Sequence, residues 1–119
     1  MPAQKETLLD RLSRSSEIRI TVIGRKSGRA ITIPVWFVLD GDTLSLLPVQ
    51  GSDTQWYKNV LHKPAMQIDA QGDADFQVVP VTDDARVKAV VEKFRAKYGN
   101  GDVKKYYSKF DAAVIVPLR

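Results

Sequence analysis

The spacing of apolar and polar residues changes several times along this chain, and each change marks an element. From Glu17 to Ile23, Ile18, Ile20 and Val22 alternate with Arg19 and Thr21, the period-two pattern of a half-buried strand. Ala30 to Leu39 (AITIPVWFVL) is rich in β-branched and aromatic residues and predicts a second strand. Pro34 brings no amide to a ladder, so that strand belongs on an edge or carries a bulge. Asp40-Gly41-Asp42 predicts a tight hairpin turn into a strand over Thr43 to Val49. Ala65 to Ala70, Asp75 to Val81 and Ala112 to Leu118 predict further strands, with a turn at Gln71-Gly72-Asp73 between the first two.

Helical spacing takes over elsewhere. Leu8, Leu9 and Leu12 predict a short amphipathic helix over Thr7 to Leu12. A helix capped by Asp53 or Thr54 runs to about Lys63 and stops at Pro64. A longer one, capped by Thr82 or Asp83, runs to about Tyr98 with Val87, Val90, Val91 and Phe94 on one face. Gly99-Asn100-Gly101 ends it, and Val103 to Phe110 follows as a short aromatic helix or turn. About six hairpin-linked strands with peripheral helices predict a mainly β, α+β fold, a small antiparallel barrel. No repeat or linker interrupts it, so residues 1–119 read as one domain.

Composition narrows the chemistry. The chain has 119 residues, 44% of them hydrophobic, enough for a single core. The absence of cysteine excludes disulfides, thiolate metal sites and a cysteine nucleophile. His62 is the single histidine and is expected on an exposed helix end, so no metal site is expected. No apolar run approaches the ~20 residues that span a bilayer, and the opening residues lack the apolar core of a secretory signal. A cytoplasmic protein is expected, with peripheral membrane contact left open. The net charge of +4 favours anionic partners. Nucleic acid is not expected among them, because the aromatics do not interleave with basic residues as a stacking platform requires.

One concentration of charge is suggestive. Gly24 to Arg29 (GRKSGR) lies between two predicted strands. If Gly24 and Gly28 take positive φ, the loop amides converge, and Arg25, Lys26, Ser27 and Arg29 add donors for phosphate or carboxylate oxygens. The same residues also suit a plain basic turn. The loop is neither a Walker A sequence nor a dinucleotide fingerprint. Trp56, Tyr57 and Asn59 share one turn of the helix that follows. Tyr98, Tyr106 and Tyr107 flank the Gly-Asn-Gly break, where they can line a pocket or simply pack. No carboxylate pair or nucleophile elbow is present, so an enzyme of this sequence needs a cofactor for its chemistry.

The order TVIGRKSGR, IPVWFVLDGDTLSLL, GS and WYKNVLHKPAMQI resembles the deazaflavin-dependent nitroreductases, a quinone-reductase-like branch of the flavin and deazaflavin oxidoreductases. The resemblance covers about Ile20 to Val81. It implies an FMN-binding split-barrel-like fold, usually dimeric, that binds reduced coenzyme F420 and passes hydride to a quinone, a nitroaromatic or another small acceptor. It implies cofactor contacts from Arg25, Lys26, Ser27, Gly28 and Arg29, from Pro48, Val49, Gln50 and Gly51, and from Trp56, Tyr57 and Asn59. It places Trp36, Tyr98, Tyr106 and Tyr107 on the substrate side as catalytic candidates. The family's Ser-Lys-Gly-Gly-like loop is Val49-Gln50-Gly51-Ser52 here, and Ile31 stands where relatives carry a basic residue. Those departures keep FMN as the alternative cofactor and a non-enzymatic cofactor-binding module as a further alternative.

Overall fold

The structure, a computed structural model, describes residues 16–68 and 75–118. The expected helix over Thr7 to Leu12 and the turn at Gln71 to Asp73 lie outside the described residues. Among the described residues, eight strands form two four-stranded antiparallel sheets. The chain runs β1 (Ile18–Ile23), β2 (Ala30–Val35), β3 (Phe37–Asp40) and β4 (Thr43–Leu46). A 3-10 turn at Gly51–Asp53 leads to helix α1 (Gln55–His62), followed by β5 (Ala65–Ile68), β6 (Asp75–Gln77) and β7 (Val79–Val81). Helices α2 (Asp84–Tyr98) and α3 (Asn100–Tyr106) precede the last strand, β8 (Ala113–Pro117).

One sheet is ordered β2-β1-β5-β6 and the other β3-β4-β8-β7. Two predicted strands are therefore corrected. Ala30 to Leu39 breaks at Trp36 and Asp75 to Val81 breaks at Val78, and each changes sheet at the break. Eight strands replace about six, and the result is a split-barrel-like fold rather than a closed barrel. Pro34 lies on β2, an edge strand, opposite Arg19, where its missing amide leaves no gap in a central ladder.

Burial explains why the period-two pattern was clear in β1 and lost in β3 and β4. In β1 the alternating residues Ile18, Ile20 and Val22 are buried while Arg19 is exposed. Phe37 and Val38 are buried in succession, as are Leu44, Ser45 and Leu46, because the second sheet is covered on both faces. Between the sheets lies one core, with Ile20, Phe37, Leu44, Tyr57, Ile68 and Val114 at its centre. The second core joins Val38, Leu47, Val81 and Ala113 to the predicted face of α2, Val87, Val90, Val91 and Phe94. Asp83 caps α2 by accepting from the Arg86 amide at 3.0 Å. The Gly-Asn-Gly break ends α2 at Gly99, with φ +95°, but Asn100 and Gly101 already belong to α3.

Candidate functional site

The basic loop connects β1 to β2, whose register closes at Ile23 opposite Ala30. Its amides are largely occupied inside the protein. Gly24 N donates to Arg29 O at 2.8 Å, Gly28 N to Gly24 O at 2.9 Å and Arg29 N to Ser27 Oγ at 3.2 Å. The expected convergence of loop amides is thus corrected. Only the amides of Lys26 and Ser27 lack a partner among the described residues. Gly28 has φ +71°, but Gly24 does not share the left-handed region. Its need for glycine is one of space, since a Cβ there would lie 2.9 Å from Ser27 Oγ.

Arg25 makes the connection that matters most. Asn59, buried on α1, accepts from the Arg25 amide at 3.1 Å and from Arg25 Nη1 at 2.8 Å. Gln55 Oε1 accepts from Arg25 Nη2 at 2.8 Å. Gln55 and Asn59 stand four residues apart on one helix face, so a single guanidinium holds both. All these acceptors are neutral, and Arg25 forms no ion pair among the described residues. Its charge is therefore uncompensated among the described residues while its side chain is fixed in place. Asn59, expected to touch a ligand or hold a loop, uses its Oδ1 to fix the loop against the helix. Gln55 was not singled out from the sequence, although its i, i+4 relation to Asn59 was visible there.

One residue beyond Gln55, Trp56 enters a cavity of about 370 Å³. Ile33, Pro34, Val35 and Trp36 line it from the switch between sheets, and Leu47, Val49 and Thr54 from the segment after β4. Tyr106, Tyr107 and Glu17 complete the wall. Trp36 organises the aromatic side: it stacks on Tyr98 at 4.3 Å and 11°, and meets Tyr106 edge-on at 5.5 Å and 77°.

The three tyrosines separate by their hydroxyls. Tyr98 Oη lies within hydrogen-bonding reach of Phe37 N (3.0 Å), Phe37 O (2.9 Å) and Ser16 O (2.8 Å), and Tyr98 is not part of the cavity wall. Burial pushes its phenol up, the Phe37 bond opposes that, and the charge of Glu17 adds to it. Its hydroxyl is structural. Tyr106 is half exposed and Tyr107 buried, and neither hydroxyl has a partner among the described residues. Burial pushes the Tyr107 phenol well above its ordinary 10.0. Tyr57, by contrast, is a core residue 1% exposed that does not reach the cavity.

The loop after β4 is held from the far end of the chain. Gly51 N donates to Pro48 O at 3.0 Å and Gln50 N to Thr54 Oγ1 at 2.7 Å, so Thr54 braces the loop rather than capping α1 with its side chain. Asp111 accepts from Ser52 N at 2.8 Å and from Ser52 Oγ at 2.6 Å. Slight burial raises the Asp111 carboxyl, but the Ser52 bonds and Lys109 outweigh it and hold it below the ordinary range. Lys109 pairs with Gln50 in an isolated parallel bridge. Its ammonium is occupied by Asp53 at 3.1 Å and Asp111 at 3.6 Å. Nothing in the sequence pattern pointed to this network, because its members are about 60 positions apart.

A family model described as an uncharacterized protein conserved in bacteria, DUF2255, matches residues 8–115. The chain belongs to this family. Solved structures share its fold. An F420-H2 dependent reductase is 18% identical, with 85% of this chain and 93% of that chain covered and a TM-score of 0.61. A structure described as a domain-swapped dimer is 18% identical, covering 85% and 79%, with a TM-score of 0.65. A heme storage protein, HutZ from Vibrio cholerae, is 11% identical, covering 92% and 84%, with a TM-score of 0.67. At these identities the likeness establishes the fold. No curated protein matches the chain. Among the described residues, no helix is long and apolar enough to cross a membrane.

Proposed function

We propose that this DUF2255 protein is an oxidoreductase that holds reduced coenzyme F420, a deazaflavin, and passes hydride to a small flat acceptor such as a quinone or nitroaromatic. The observation that carries the reading is the fixed charge of Arg25, uncompensated among the described residues and tied through Gln55 to the helix that puts Trp56 in the cavity wall. A guanidinium has five N–H donors, and the two nitrogens bonded here leave donors free for an anion. Arg25, Lys26, Ser27 and Arg29 suit the phosphate and acidic tail of the cofactor, and the cavity suits the acceptor. The cofactor supplies the hydride when bound. This chain's residues hold the anion, orient the acceptor between Trp36 and Trp56, and offer the Tyr106 and Tyr107 hydroxyls as hydrogen-bond donors to it.

One observation favours FMN as the second reading. Gln50 brings no charge to the loop after β4, and its neighbour Lys109 is neutralised by two carboxylates, so that loop offers little to a polyanionic tail. A homodimer is part of the proposal, supported by the domain-swapped neighbour and by the edge strand β2, which leaves Ile31 exposed. Titration with oxidised deazaflavin, followed by its fluorescence, tests the cofactor. Binding in the micromolar range is expected, and no binding at tens of micromolar overturns the reading. Flavin absorbance in the protein as purified selects FMN instead.

A further inference from the structure

We propose that the aromatic cavity prefers flat acceptors carrying a positive charge, and that Glu17 sets this preference. The inference rests on the cavity being the acceptor site. Its wall is built from Trp36, Trp56, Tyr106 and Tyr107, whose electron-rich ring faces attract cations. Among the described residues, Glu17 is the one acid in that wall, and no lysine, arginine or histidine contributes to it. Glu17 forms no ion pair among the described residues, and its charge lies in the wall where a ligand would sit. That charge reaches the aromatic stack, because it contributes to the perturbation of Tyr98, the ring beneath Trp36.

The surrounding aromatics already hold the protein's own cations. Lys97 Nζ lies 3.6 Å from the Phe37 ring centroid and donates to Phe37 O at 2.9 Å. Lys105 Nζ lies 5.3 Å from the Tyr106 ring centroid. Neither lysine lines the cavity, so neither fills the place opposite Glu17. An anionic acceptor would meet a carboxylate there with no compensating cation among the described residues, whereas a cationic heteroaromatic meets both the rings and the acid.

The chain has two tryptophans, and both line the cavity, so intrinsic fluorescence reports its occupancy directly. Cofactor-free protein would be titrated with N-methylquinolinium, its neutral isostere 1-methylnaphthalene, and the anion 1-naphthoate. A partly exposed charge contact predicts about fivefold tighter binding of the cation than of the neutral ring, with the anion weakest. Glu17→Gln should cut most of the cation's advantage over the neutral ring and leave the neutral ring's affinity unchanged. Equal affinities, preference for the anion, no quenching by any of the three, or an unchanged ratio in Glu17→Gln would overturn the inference. A deazaflavin titration on the same preparation separates the two readings. Deazaflavin binding without cation preference sinks only this inference, and cation preference without deazaflavin binding sinks only the cofactor.

Discussion

Asn59 lets the structural and electrostatic roles of Arg25 be measured apart. Its Oδ1 accepts two bonds from Arg25, one from the backbone amide at 3.1 Å and one from the guanidinium at 2.8 Å. Asn59→Ala removes both and leaves a part-buried amide without a partner. One neutral bond near 1 kcal/mol and one bond to a charged group near 1.5 kcal/mol give a cost of about 2–3 kcal/mol. With a urea m-value of about 1–3 kcal/mol/M, the denaturation midpoint should fall by roughly 1–2 M. Asn59→Asp keeps an oxygen acceptor for both bonds but sets a carboxylate against the guanidinium. It should retain most of the stability while neutralising the one fixed cation of the loop. Loss of about 1.5 kcal/mol of charge-assisted binding corresponds to roughly tenfold weaker deazaflavin affinity. Calorimetric or fluorescence titration beside urea melts gives both numbers. If Asn59→Asp binds the cofactor as tightly as the unaltered protein, the charge of Arg25 does not hold the anion, and the site assignment fails.

Three further outcomes follow from the same geometry. Gly51→Ala should cost at least ~2 kcal/mol more in urea melts than Gly28→Ala. Both glycines have positive φ, at +56° and +71°, but a Cβ at Gly51 collides with Asp111 Oδ1 while that at Gly28 meets open space. Equal costs would deny the packing of that loop against the C-terminal segment. Asp111→Asn should destabilise by about 1 kcal/mol at neutral pH. Because the folded carboxyl sits below its ordinary 3.8, its contribution is present above that value and lost as pH falls through the lowered one, so the two melting curves should converge in acid. Tyr107 behaves oppositely: its raised phenol keeps the folded form neutral while the unfolded form ionises above 10.0, so stability should fall with rising pH there. Tyr107→Phe should make that alkaline loss shallower, and an unchanged slope in pH-dependent melts would show that Tyr107 ionises freely in the fold.

Local pattern determined most of the elements and the fold class. The alternation of Ile18, Ile20 and Val22, the Asp-Gly turn at Gly41, and the stripe of Val87, Val90, Val91 and Phe94 each report burial on one face, which neighbouring residues encode directly. The basic loop and the aromatic residues could likewise be chosen as candidates from their types and order. Tertiary structure decided where strands change sheet, because the apolar runs Ile33 to Leu39 and Val78 to Val81 carry no periodicity to mark the break. It also sorted the candidates. Tyr98 gives its hydroxyl to the backbone of Phe37 and Ser16, Tyr57 joins the core, and Tyr106 and Tyr107 meet Trp36 and Trp56 at one cavity. The pairings of Arg25 with Asn59 and of Ser52 with Asp111 join residues 34 and 59 positions apart. Sequence order by itself determined which donors and rings this protein possesses. Which of them are occupied by one another, and which are left for a ligand, depends on distances that exist only once the sheets have packed.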